Sequence, residues 1–321
     1  MNIKQLSNPY SDDFQDGANW GIQHFWDWRG LRCHWRKLGN KQNQPIVLIH
    51  GFGASSEHWR NNANYFANAG FCVYSLDLIG FGQSEQPDRV KVRNLDNEFW
   101  ANQITSFLIQ IVEVTQSKKA ILIGNSLGGL VALTTLYFRP DLVQKIIASP
   151  LPDPALIQKN RSKESKWLVK AKNIFIKIFF YFLPLEIIVP LISKTKIINL
   201  AVQLAYFKDI SKDKELKRII REPAIKLTAP RALRSMCIGM SLRSNYITAP
   251  YLLDQLSKNN KKSSVLLVWG DKDKLVPLGL GENMIKMHPW LKLLVVRNSG
   301  HCPHDESPNQ FNKLVLDWLD K

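Results

Sequence analysis

Cysteine is scarce. There are four in 321 residues (Cys33, Cys72, Cys237, Cys302), scattered and with no C-x-x-C pair. That suits reduced thiols in a cytosol-like compartment. The opening residues Met1-Asn2-Ile3-Lys4-Gln5 are polar and lack an apolar h-region, so no signal peptide is expected and a cytoplasmic location is. No Pro/Ser/Gly-rich linker divides the chain, and it has no internal repeat. Neither a metal-ligand cluster nor a dinucleotide fingerprint is present, which leaves no metal or cofactor to expect. Zinc-finger, helix-turn-helix and RNA-binding signatures are also missing, which argues against a nucleic-acid partner.

Acidic residues are few as well. Lys+Arg number 43 against 27 Asp+Glu, a net charge of +16. The excess is regional: residues 151–250 hold 19 basic and 7 acidic residues, so +12 of the +16 lies there and +4 elsewhere. Such a segment reads either as a solvated basic face or as a face for anionic lipid heads.

What is present is a strand-helix alternation. Residues 1–20 are polar and read as irregular. Ile22 to Trp28 and Leu31 to Arg36 flank Arg29-Gly30 as a β-hairpin, with Trp26, Trp28 and Trp35 as packing residues. Ile46 to His50 reads as a buried strand running into Gly51-Phe52-Gly53. A helix is expected over 57–69, a strand over 71–78 and a helix over 96–114. Strands are expected at 120–123, 143–148, 265–269 and 291–296, with helices at 127–137, 281–287 and 310–319. Strands alternating with helices of ten or more residues imply βαβ units and a parallel sheet. The alternation lapses between Leu151 and Ala249, where the sequence is helical, basic and Pro-interrupted. The expected organisation is therefore a core of residues 1–150 and 250–321, with residues 151–249 inserted as a helical cap.

Gly124-Asn125-Ser126-Leu127-Gly128 fits G-x-S-x-G, and it stands where that motif carries meaning, between a strand and a helix. Side chains at 124 and 128 would collide with the neighbouring strand and helix. The helix start aims backbone N–H groups at an anion beside Ser126. A serine hydroxyl is a poor nucleophile and needs a base from elsewhere. Taken alone, the motif also fits a glycine-rich turn. Asp273 and His301 each follow an expected strand, and in an open parallel sheet ligands sit beyond the strands' carboxyl ends.

With these motifs in order, the chain resembles the α/β-hydrolase family. The resemblance rests on His50-Gly51-Phe52-Gly53, Asp77 to Ser84, the Ser126 turn, Gly270 to Pro277 and Gly300-His301, and it runs from about residue 22 to the end apart from the inserted segment. It implies an α/β-hydrolase fold, Ser126 as nucleophile and His301 as general base. Asp271 and Asp273 both stand near the required carboxylate position; the family's spacing Gly-x-x-Asp-x-x-x-Pro selects Asp273. It further implies an oxyanion hole from the backbone N–H groups of Phe52 and Leu127, each contributing roughly 3–4 kcal/mol to barrier lowering. His50 reads as structural, and Cys302 and His304 as packing behind His301, with a reactive thiol or a second proton shuttle as the alternatives. Epoxide- and halide-displacing relatives carry Asp at the turn, where this chain has Ser126. Hydrolysis of a carboxylic ester through an acyl-serine is the direct expectation. A C–C hydrolase or perhydrolase with the same residues, and a ligand receptor on the same scaffold, are the alternatives. The chain is similar in particular to the cyanobacterial and chloroplast pheophytinases and chlorophyll dephytylases. The shared features are Gly124 to Gly129, the Trp-rich hairpin and Ser149-Pro150-Leu151-Pro152-Asp153-Pro154, and the similarity implies a phytyl-type ester.

One stretch stands apart. Ile174 to Ile192 is nearly continuous in apolar and aromatic residues. Lys177, Pro184, Glu186 and Pro190 argue against a membrane span. It reads as a helix packed over the core, as a lipophilic pocket wall, or as an interfacial helix whose neighbouring basic run, Arg161 to Lys172, meets an anionic membrane surface. The last two point to a hydrophobic small-molecule ester as substrate.

Overall fold

The computed structural model describes residues 17–156, 166–258 and 264–320. Most of the irregular N-terminus expected from sequence, and the start of the basic run at Arg161, lie outside the described residues.

Eight strands form one sheet: β1 (Ile22–Trp28), β2 (Leu31–Leu38), β3 (Gln44–Ile49), β4 (Phe71–Leu76), β5 (Ala120–Asn125), β6 (Val143–Ser149), β7 (Val265–Gly270) and β8 (Lys292–Val296). Their spatial order is β1-β2-β4-β3-β5-β6-β7-β8. The hairpin β1–β2 and the β2–β4 pair are antiparallel; all other neighbours are parallel.

Side-chain alternation splits the sheet's two faces cleanly. On β3, β5 and β7, Val47, Ile49, Leu122 and Leu267 join one core. Their neighbours Ile46, Leu48, Ile121, Ile123 and Leu266 join the other. Both sets are buried, so these strands read as continuous apolar runs, as strands covered on both faces must. The first core packs against α2 (Asn97–Phe107), α3 (Leu127–Phe138), α9 (Ala249–Lys258) and α10 (Leu278–Met287). The second is covered by α1 (Ala63–Asn68) and α12 (Pro308–Leu319), with the short α11 (Pro303–Glu306) at its edge. Trp26 and Trp28 are buried in the first core.

Between β6 and β7 lie α4 (Lys166–Phe182), α5 (Leu185–Lys194), α6 (Ile197–Ala205), α7 (Lys214–Ala224) and α8 (Ala229–Leu242), with no strand among the described residues of this segment. Helix α8 is the platform on which α4 and α5 rest.

Three elements depart from the sequence expectation, each for a tertiary reason. The helix expected over 57–69 is broken into a 3₁₀ turn, Ser56–Trp59, and α1. Arg60 and Asn62 between them turn to partners on the C-terminal segment, Arg60 to Asp305 and Asn62 to the His304 carbonyl and Asn312. The helix expected over 96–114 regularises only to Phe107, then widens into a π-turn, Leu108–Val112, closed by left-handed Glu113. Strand β4 stops at Leu76 rather than 78: Asp77 N–H still bonds the His34 carbonyl of β2, but the Leu78 N–H is taken by the His50 ring.

Candidate active site

The turn after β5 carries Ser126 at φ 51°, ψ −116°, a conformation that L-residues rarely hold. Close packing enforces it. A Cβ on Gly124 would lie 2.2 Å from the Gly128 carbonyl, and one on Gly128 would lie 2.2 Å from the Ile49 oxygen. Strand β5 and α3 therefore approach backbone to backbone, and the serine between them is pushed outward. Ser126 N–H is held by the Ser149 carbonyl at 3.0 Å, which ties the turn to the end of β6.

His301 and Asp273 arrive on the loops after β8 and β7. His301 Nε2 lies 2.8 Å from Ser126 Oγ, and His301 Nδ1 lies 2.9 Å from Asp273 Oδ2. The other Asp273 oxygen accepts the Leu275 and Val276 N–H groups, each at 2.9 Å. The carboxylate is thus fixed in rotation, and one oxygen is reserved for the imidazole. Asp271 is elsewhere, accepting the Ser299 N–H at 3.4 Å and facing Lys272. Phe52 sits in the loop after β3, its ring 60% exposed and edge-on to Phe81. Leu127 opens α3, where an N–H has no partner inside the helix.

The imidazole's backbone is gripped from three sides. His301 N–H donates to the Ala205 carbonyl at 2.7 Å, and Asn125 Nδ2 donates to the His301 carbonyl at 3.1 Å while also bonding the Ser149 carbonyl at 2.6 Å. Glu306 accepts the Gly300 N–H at 2.5 Å and also takes the Lys208 N–H. Asn125 was not singled out from the sequence. Its signal was there: a polar residue closing an otherwise apolar strand, next to the serine.

Behind this loop lies a buried ion network that sequence reasoning did not find. Asp305 accepts from Arg60 Nε at 2.9 Å and Nη2 at 3.1 Å, and from the Tyr206 hydroxyl at 2.9 Å. Arg60 also reaches Asp213 and Glu215, and His58 bonds the Tyr206 hydroxyl at 2.7 Å. Burial alone would raise the Asp305 carboxyl, but His58 and Arg60 hold it well below the usual carboxylate range. The partners come from residues 58–60, 206–215 and 305, too far apart in sequence for any spacing rule.

The remaining candidates are structural. His50 donates from Nδ1 to the Gly51 carbonyl at 2.8 Å and accepts the Leu78 N–H on Nε2 at 3.0 Å, leaving no ring nitrogen for chemistry; burial lowers its pKa. Burial pushes the Cys302 thiol well above its ordinary value, so it stays protonated and unreactive. His304 is fully buried between Trp59 and Phe311, its pKa driven well down by burial and then by His58. Among the described residues there is no group of three or more His, Cys, Asp or Glu side chains able to hold a metal ion.

A parallel sheet entered by an antiparallel hairpin, with a strained serine between strand and helix and an imidazole and carboxylate lined up behind it, defines a hydrolase of the α/β class. The chain belongs to the Alpha/beta hydrolase family, whose model matches residues 46–314. It is similar to the AB hydrolase superfamily protein YfhM of Bacillus subtilis, at 25% identity over 299 residues, covering 90% of this chain and 95% of that protein. Epoxide hydrolase 3 of Xenopus tropicalis is 23% identical over 306 residues, covering 90% and 75%. Among solved structures, an α/β hydrolase fold protein from Burkholderia ambifaria superposes with a TM-score of 0.65 at 21% identity, covering 95% of this chain and 99% of that one.

Proposed function

We propose that this hydrolase cleaves a carboxylic ester of a hydrophobic molecule through an acyl-serine intermediate. The observation that carries the reading is the unbroken line from Ser126 Oγ through the His301 ring to Asp273, at 2.8 and 2.9 Å. His301 Nε2 takes the hydroxyl proton as Ser126 Oγ attacks the carbonyl. Asp273 fixes the tautomer and stabilises the imidazolium. The N–H groups of Phe52 and Leu127 receive the developing oxyanion. The proton passes from His301 to the departing alkoxide as the C–O bond breaks. Water, deprotonated by the same imidazole, then releases the carboxylic acid and restores the serine.

The substrate class is supported by an apolar cleft of about 90 Å³ beside the Phe52 loop. Phe52, Phe81, Val189, Leu233 and Met236 line it, so its wall is nearly all apolar. In this reading residues 151–249 are the cap, which contributes Val189, Leu233 and Met236 among others to the cleft. An apolar chain, of phytyl or fatty-acyl type, is the substrate portion whose chemistry matches this wall. A serine at position 126, where epoxide-opening relatives carry aspartate, supports ester over epoxide chemistry.

A fluorophosphonate probe tests this directly. Wild-type protein is expected to be labelled and Ser126→Ala to be inert with an unchanged circular dichroism spectrum; a folded, unlabelled wild type refutes the reading. p-Nitrophenyl esters of rising chain length, run beside a chlorophyll-type pigment, separate the acyl and phytyl alternatives.

A further inference from the structure

We infer that the outward face of α4, α5 and α6 docks on an anionic lipid bilayer. For the purpose it would serve, the inference rests on the ester-hydrolase reading above.

Apolar sequence in a helix bundle normally faces inward, and here much of it does not. Phe175 is 67% exposed, Phe182 74%, Ile187 69% and Leu200 68%. Phe175, Ile178, Phe179 and Phe182 line an open apolar depression of about 370 Å³. The opposite sides of α4 and α5 already rest on α8, and the exposed sides have no partner among the described residues. An apolar patch of this kind marks an interaction surface rather than ordinary scatter.

Charge selects the occupant. Residues 166–205 contain six lysines (166, 170, 172, 177, 194 and 196) and one acidic residue, Glu186. Glu186 is neutralised locally by Arg234 at 2.8 Å. Aromatic and aliphatic side chains framed by lysines, with no free carboxylate, match an interfacial helix on acidic headgroups. A second copy of the chain fits poorly, because a two-fold contact would bring the same lysines face to face. Crossing the membrane is a different geometry: no single described helix is long and apolar enough, and Lys170–Phe182 and Leu185–Lys194 meet at 60°.

Helix α5 links this face to the cleft. Ile187 and Leu191 point outward while Val189 lines the cleft beside Phe52. Residues two apart on a helix differ by about 200° in direction, so one helix serves both surfaces. A bilayer-dissolved ester would thus meet apolar side chains on both sides of α5, from the outward face to the Phe52 loop.

Sedimentation with vesicles tests the inference. The full chain is expected to pellet with phosphatidylcholine vesicles containing one-third phosphatidylglycerol, and at least tenfold less with phosphatidylcholine alone. Phe175→Ser/Phe182→Ser should lower partitioning by at least tenfold. Lys172→Gln/Lys177→Gln should lower it by about 30-fold at low salt, from the usual contribution of a lysine near an anionic surface. Circular dichroism and thermal melting serve as the folding controls. Absence of wild-type binding to the anionic vesicles overturns the inference. So does partitioning that neither double variant alters, or a concentration-dependent dimer in light scattering that Phe175→Ser/Phe182→Ser abolishes. Ser126→Ala protein should sediment like the wild type, so failure of the catalytic reading and failure of docking are separate results.

Discussion

Replacing Asp273 by Asn isolates the carboxylate's role, because the structure dictates how the amide must sit. Asp273 Oδ1 accepts two backbone N–H groups, from Leu275 and Val276, at 2.9 Å each. An Asn side chain keeps those bonds only by placing its carbonyl oxygen there, which turns its NH₂ toward His301 Nδ1. That nitrogen must then accept, so the ring proton moves to Nε2, the atom 2.8 Å from Ser126 Oγ. The imidazole then has no lone pair for the hydroxyl proton. A wrong tautomer in a Ser-His-Asp site costs about 10⁴ in kcat, equivalent to about 5.5 kcal/mol of barrier. The assay is kcat on a p-nitrophenyl ester, with circular dichroism to confirm folding. Asp271→Asn is the matched control and should cost less than about threefold, since that side chain makes one long bond to Ser299 and none to the imidazole. A folded Asp273→Asn protein losing less than tenfold would refute the reasoning, as would equal losses at the two positions.

Three further outcomes are expected. His50 and His304 are buried with pKa values lowered by burial, so the unfolded chain binds protons that the folded one refuses; stability is full above about pH 6.5 and falls by about 1.4 kcal/mol per pH unit for each as pH drops below it. His304→Phe should flatten this acid limb by one proton's worth in pH-dependent thermal melts without loss at neutral pH, since neither ring nitrogen has a hydrogen-bond partner among the described residues. Gly128→Ala should cost about 3 kcal/mol in denaturant unfolding, because its methyl would sit 2.2 Å from the Ile49 oxygen and 2.7 Å from that of His50. Arg60→Ala should cost about 3–5 kcal/mol by the same measurement, because it strands the Asp305 carboxylate, whose side chain is 2% exposed.

The strands, the hairpin and the serine turn were legible because each is a local pattern. Strands β3, β5 and β7 announce themselves as apolar runs, and the glycines at 124 and 128 mark a place where two backbones touch. Element ends were less legible. The break at Arg60–Asn62 depends on acceptors some 240 residues away, at His304, Asp305 and Asn312. The apolar run at 174–192 was ambiguous for a related reason. Composition says that such side chains avoid water but not which surface they avoid it against, and here many of them face outward.

By itself the sequence determined the order of chemistry along the chain. Serine, carboxylate and imidazole each follow an apolar strand, because a buried strand and the turn that ends it are written in neighbouring residues. The tertiary structure alone decided what those residues meet. It brought Asp273 Oδ2 within 2.9 Å of the His301 ring, occupied both nitrogens of His50, and made Asn125 and Ala205 the holders of the His301 backbone. Hydrogen bonds between distant segments depend on the register of a whole sheet, and no local pattern encodes that register.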